Sequence, residues 1–320
     1  MEYNIKDRWL KTIERKKRDN TVISYKKNID HLYEYFSEQF NIDNEIEMIK
    51  RIDNDAMEDF IYELEEEYTK STINNRIATY NLFFKYCIKG KGIITHNPMG
   101  MIKQYSPKEV ADDAKEKYIP TLKEVRDLIE VCKIKSKGAR CFNLLSRRNA
   151  TMLAILSSTG LRPIELLKAQ FEHLEKLEGS YILTIPKENC KTHISRRVPI
   201  TGLALRYFEE YLLERKNTKY NELKGYIFIS SRGNRISGGN LNEIIKKNLL
   251  LANIKVPEDK QFSIYCLRHF TSCMLVERKE TEFMINSLLG WSNKNNVMLN
   301  RYSNHIEFYD KEKIRMCSYL

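Results

Sequence analysis

Four short strings in the C-terminal two-thirds of the chain carry side chains suited to an oxyanion. The first, Thr159-Gly160-Leu161-Arg162-Pro163-Ile164-Glu165-Leu166, sits at a turn into a helix. An arginine at a helix start with a glutamate three residues on is either a surface ion pair or a planar, permanently charged fork held ready by a carboxylate. The second, Lys191-Thr192-His193-Ile194-Ser195-Arg196-Arg197-Val198-Pro199, lies between β-prone runs, where lysines are ordinarily solvated; Lys187 shares the turn. In the third, Ser263-Ile264-Tyr265-Cys266-Leu267-Arg268-His269, a phenol precedes a guanidinium and an imidazole. With an ordinary pKa near 10, Tyr265 can donate a hydrogen bond but is a poor base, and packing in a core is its other reading. The fourth runs from Leu288-Leu289-Gly290-Trp291-Ser292 to Asn300-Arg301-Tyr302-Ser303. In a chain with 19 tyrosines any one of them is structural by default, and only the place of Tyr302 after the other strings lifts it.

Together these strings resemble the tyrosine recombinase, or phage integrase, family. The first is similar to its T-G-L-R-x-x-E-L box, the second to its β-turn lysine ahead of Val-Pro, and the third to its His-x-Leu-Arg-His box with Tyr265 in place of the first histidine. The fourth is similar to its L-G-H/W-S step and nucleophile, with Trp291 at the His/Trp place. The eleven residues from Trp291 to Tyr302 exceed the commonest family spacing by two. The resemblance implies that Arg162 and Arg268 bind the scissile phosphate, that Glu165 orients Arg162, and that Tyr265 and Trp291 donate to the phosphate. It further implies that His269 is a structural hydrogen-bonding residue, that Tyr302 attacks, and that Lys191 gives a proton to the departing 5′-oxygen. Lys187 competes with Lys191 for that role and Tyr309 with Tyr302 for the attack. Like charges around the lysine would lower its pKa and make it a better acid.

The implied reaction is site-specific cutting and rejoining of double-stranded DNA through a 3′-phosphotyrosine and a Holliday junction. It needs no cofactor and no metal. The implied assembly is a homotetramer on two DNA sites, a monomer or weak oligomer when free, with residues 306–320 docking on a neighbour. Competing expectations are a type IB topoisomerase-like DNA-relaxing enzyme and a catalytically degenerate DNA-binding protein. Whether the host element is a phage, a transposon or a chromosome-dimer resolver stays open.

These residues need elements to hold them. Thr121-Leu122-Lys123-Glu124 matches a capping box and predicts a helix with Val125, Leu128, Ile129 and Cys132 on one face. Residues 181–185 and 196–200 predict short strands flanking the lysine turn. Upstream, Val22, Tyr25, Ile29, Leu32, Tyr33 and Phe36 fall at helical spacing, with Lys26 and Lys27 off the stripe. Ile73, Ile77, Tyr80, Phe84 and Cys87 form a second stripe, with Arg76 and Lys85 projecting elsewhere, and residues 55–67 read as an acidic helix carrying Phe60, Ile61 and Leu64 inward. The fold class predicted is mainly α with a small antiparallel sheet, in two domains that clamp DNA. Residues 1–105 form an all-helical core-binding domain, 106–117 a polar linker rather than a helix, and 118–320 the catalytic domain with its tail.

The charge fits a polyanionic partner. The 320 residues carry 54 basic and 43 acidic side chains, a net charge of +11. Residues 1–105 hold 17 basic and 18 acidic residues, so the excess lies downstream; residues 70–105 hold 6 basic and no acidic ones. Lys26, Lys27, Arg76 and Lys85 are therefore the expected DNA contacts of the first domain, and the acidic helix faces away. The seven scattered cysteines form no Cys-x-x-Cys pair and read as reduced, mostly buried thiols. The first residues lack the apolar core of a signal peptide and no run is long enough to span a bilayer, which predicts a cytoplasmic protein associated with the nucleoid and no membrane partner.

Overall fold

A computed structural model describes residues 4–133, 142–291 and 313–320. Its contacts divide the chain into two units, Met1–Lys115 and Glu116–Leu320.

The first unit contains helices α1 (Ile5–Glu14), α2 (Asp19–Phe40), α3 (Glu45–Arg51), α4 (Asn54–Glu67), α5 (Lys70–Lys89) and α6 (Pro107–Asp113). The predicted stripes of α2, α4 and α5 supply its core: Ile29, Leu32 and Phe36 cluster with Phe60, Tyr80 and Phe84, all buried. Helices α1 and α3 lie outside the predicted stripes, and they hold each other. Glu45, at the start of α3, accepts hydrogen bonds from the free backbone N–H groups of Ile5 (2.6 Å) and Lys6 (2.9 Å) at the start of α1.

Two expectations need correction here. Residues 107–113 lie in the stretch read as linker, yet they are helical. A capping box between Ser106 and Glu109 satisfies the helix start, proline occupies its first turn, and Asp113 accepts from the backbone N–H of Lys70 at 2.7 Å. No side chain of α6 is buried, so the helix rests on local caps and carries no apolar face to betray it. The other correction is Arg76. Rather than projecting outward it is 3% exposed, stacked over the Tyr68 ring at 4.1 Å with its Nη1 2.8 Å from His31 Nδ1. Lys26, Lys27 and Lys85 are exposed as expected, with Lys26 paired to Asp30.

In the second unit, β1 (Glu116–Lys117) pairs in parallel with β5 (Lys260–Gln261). Helix α7 (Leu122–Glu130) begins at the predicted box, with the Thr121 side chain and Glu124 capping each other. Helix α8 (Phe142–Thr159) packs against α7, α10 (Gly202–Lys216) and α12 (Tyr265–Glu277). The short α9 (Pro163–Leu167) follows it, and α11 (Gly238–Leu251) and α13 (Glu282–Leu289) complete the helices. Strands β2 (Leu174–Leu177), β3 (Ser180–Ile185) and β4 (Arg196–Ile200) form an antiparallel meander in that order, with Tyr181 opposite Ile200 and Ile185 opposite Arg196. That register closes the Lys191 turn at one end of the sheet.

Residues 313–317 are helical, and Met316 and Cys317 are buried in this unit's own core. Tyr319 donates to the Ser157 carbonyl at 2.6 Å and Lys313 to that of Arg197 at 3.1 Å. The described part of the tail thus packs on its own unit; residues 306–312 lie outside the described residues. Cys87, Cys132, Cys190, Cys266 and Cys317 are free and buried, and Cys273 is free and half-buried. No described helix is long and apolar enough to cross a membrane.

Candidate active site

Two left-handed glycines create the turns that bring the sequence strings together. Gly160, after α8, has φ 61° and Gly290, after α13, has φ 65°. A Cβ on Gly160 would run into Leu289 Cδ2, and one on Gly290 would stand 2.9 Å from the Arg196 guanidinium, so a side chain at either place would displace a neighbour as well as strain the backbone. The carbonyls exposed by these turns become acceptors. Gly160 O receives Arg268 Nη1 at 2.5 Å, and Gly290 O receives Arg162 Nη2 at 3.2 Å. Each arginine is thus held by the turn at the end of another helix, and α8, α12 and α13 converge on one place.

Arg162 stands at the N-cap of α9 in an extended conformation, which presents its backbone N–H and its side chain to the same carboxylate. Glu165 Oε2 accepts from Arg162 N at 2.9 Å and Oε1 from Arg162 Nη1 at 3.0 Å. The same carboxylate takes a two-pronged grip from Arg196, Nη1 to Oε1 at 3.0 Å and Nη2 to Oε2 at 2.6 Å. Glu165 is almost wholly buried. Burial by itself pushes its carboxyl up, but the hydrogen bonds and charge of Arg196, reinforced by Arg162, hold it below the usual carboxylate range. This is a buried ion cluster rather than the alternative surface pair.

Arg268 is 8% exposed and also donates to Leu289 O at 2.8 Å. Burial first, and then the like charges of Arg162 and Arg196, lower its pKa to about 10, which leaves it protonated at neutral pH. Its guanidinium lies 5.7 Å from the Trp291 ring, which is 43% exposed. Tyr265 opens α12 at 48% exposure, so the core-packing alternative for it does not hold. His269 is exposed on α12. Lys191 is exposed on its turn, directly after the buried Cys190, whose thiol accepts from Arg196 Nη1 at 3.4 Å. Tyr302 and Tyr309 lie outside the described residues.

Arg196 escaped the sequence reading. The signal was there: in a strand ending Arg-Arg-Val-Pro-Ile, alternation with buried Val198 and Ile200 turns Arg196 inward and Arg197 outward. A basic residue on the inward side of a strand requires a buried acceptor, and Glu165 is that acceptor.

Residues 121–307 match the model of the phage integrase family, well over half of the chain. This chain belongs to the phage integrase family. Residues 7–91 of the recombinase match the N-terminal SAM-like domain of phage integrases. Its relatives include tyrosine recombinase XerD of Oceanobacillus iheyensis, 27% identical over 91% of this chain and 90% of that protein. Tyrosine recombinase XerC of Pelotomaculum thermopropionicum is 23% identical, over 87% of this chain and 86% of that one. Among solved structures the fold is similar to a lambda integrase dimer bound to a core site, with TM-score 0.64, 15% identity and 93% of both chains covered. It is likewise similar to the XerH recombinase bound to its difH substrate, with TM-score 0.64, 18% identity, and 90% of this chain and 78% of that one covered. The protein is a site-specific recombinase, an enzyme that cleaves and rejoins DNA.

Proposed function

We propose that Arg162 and Arg268 grip the scissile phosphate of double-stranded DNA while Tyr302 attacks it, and that Lys191 protonates the departing 5′-oxygen. The attack forms one phosphorus–oxygen bond to the tyrosine and breaks the bond to the 5′-oxygen. The 3′-phosphotyrosine so formed conserves the phosphodiester for rejoining to another strand. The observation that carries this reading is the convergence of Arg162 and Arg268 on the two glycine turns, each with a guanidinium bonded to the described residues through only part of its five N–H groups. Glu165 keeps Arg162 in place, and Tyr265 and Trp291 stand exposed beside Arg268 as further donors.

Two duplexes exchanging strands through a Holliday junction require four active sites, so the working assembly is a homotetramer that disperses to monomers or weak oligomers without DNA. Lys26, Lys27 and Lys85 serve the DNA backbone from the first unit; Arg76, buried against Tyr68, drops out of that set. The protein acts in the cytoplasm at the nucleoid. The test is single-turnover cleavage of a nicked duplex made from the DNA flanking its own gene. Arg162→Ala and Arg268→Ala are each expected to cleave on the order of 10²-fold more slowly, the scale for loss of one preorganised transition-state donor. Wild-type rates in both variants would remove the arginines from the reaction.

A further inference from the structure

Arg196 opens β4 and commits almost its whole donor set inside the protein. Nε donates to Leu288 O at 3.0 Å, Nη1 to Glu165 Oε1 at 3.0 Å and to Cys190 Sγ at 3.4 Å, and Nη2 to Glu165 Oε2 at 2.6 Å. A guanidinium has five N–H groups, so little remains for a phosphate. The groups it holds belong to three parts of the site. Glu165 braces Arg162, Cys190 precedes Lys191 in the chain, and Leu288 leads into the Gly290-Trp291 turn.

We infer that Arg196 is a positioning residue for DNA cleavage, fixing Glu165 against Arg162 and tethering the Lys191 turn to the same point. This rests on the roles given above to Arg162 and Lys191. The planar fork is what allows one side chain to reach both oxygens of Glu165, a backbone carbonyl and a thiol at once. A lysine keeps the charge and loses that span. The effect reaches the arginine pair through Glu165, whose carboxylate faces Arg162, Arg196 and Arg268 and the Cys190 thiol. Arg196 opposes the upward push of burial on Glu165. Without it the carboxyl takes up a proton at a higher pH, so Arg162 loses its brace sooner as pH falls.

The experiment uses full-length Arg196→Lys and Arg196→Met beside wild type and Arg162→Ala. Each is assayed for single-turnover cleavage of the nicked flanking duplex at saturating protein across the acid-to-neutral range, with DNA affinity measured by fluorescence anisotropy. Both Arg196 variants are expected to cleave roughly 10²-fold more slowly, the scale of an ångström-sized misplacement. DNA affinity should hold at its wild-type value, and the acid limb of the rate profile should move to higher pH. A wild-type rate and profile in folded Arg196→Lys overturn the inference, as does a loss confined to DNA affinity. Slow cleavage by Arg162→Ala together with normal cleavage by Arg196→Lys sinks this inference alone. Normal cleavage by both sinks the underlying assignment of the site as well.

Discussion

At the scale of single residues, the site turns on which arginine donors are already committed to the protein. Arg196 is spent on Glu165, Leu288 and Cys190, while Arg162 and Arg268 each anchor to a glycine carbonyl. Arg162, Glu165 and Arg268 were marked by the resemblance of their strings to the family's boxes, which also implied the Arg162–Glu165 pairing. The carbonyl partners of the two arginines were not legible, since backbone carbonyls of remote turns leave no mark on a sequence. Arg76 shows the opposite error. It lies off the apolar stripe of α5, but Tyr68 and His31 from other segments cover it, which no single helix can announce. Tyr265 yields a prediction at this scale. Nearly half exposed at the start of α12, it contributes little to packing, so Tyr265→Phe should leave thermal stability unchanged while slowing cleavage about tenfold through loss of one hydrogen bond to a charged group. Cleavage at the wild-type rate in a Phe variant of matched thermal stability would leave the phenol without a part in the reaction.

At the scale of elements, the active site is assembled by the turns at helix ends rather than by the helices themselves. Apolar periodicity made α2, α4, α5 and α7 legible, and alternation made β3 and β4 so. Helix α6 escaped because none of its side chains is buried, whereas α1 did carry local signals, an Asn4 cap on the Asp7 N–H and an apolar stripe of Ile5, Trp9, Leu10 and Ile13, that went unread. The glycine turns are where element and site meet. In Gly160→Ala the methyl group would meet Leu289 and the backbone would keep a left-handed conformation that costs about 1–2 kcal/mol even without a clash. Because Gly160 O anchors Arg268, both consequences should appear together: a lower unfolding midpoint and slower cleavage. Thermal denaturation and single-turnover kinetics on the same preparation check this. Full activity with unchanged stability would mean that the turn yields to a side chain at no cost.

At the scale of the molecule, the two units divide the charge unequally. Residues 1–105 are close to neutral overall while the rest of the chain carries the excess of basic side chains. Binding dominated by phosphate contacts releases counterions, so the affinity for the flanking duplex should fall steeply and log-linearly as salt rises. Charge reversal at Lys26, Lys27 and Lys85, exposed on the first unit, should flatten that slope; an unaltered slope would move the contacts elsewhere. Neither Tyr302 nor Tyr309 falls within the described residues and both follow the arginine boxes, so it is the resemblance of Arg301-Tyr302 to the family's nucleophile string, against the Phe308-Tyr309-Asp310 stretch, that marks Tyr302. The most direct measurement is therefore covalent trapping of the full-length protein on the nicked duplex, resolved under denaturing conditions. Wild type should give a protein–DNA adduct, Tyr309→Phe should give the same adduct, and Tyr302→Phe should give none while still binding the duplex. An adduct that survives in Tyr302→Phe would contradict the account.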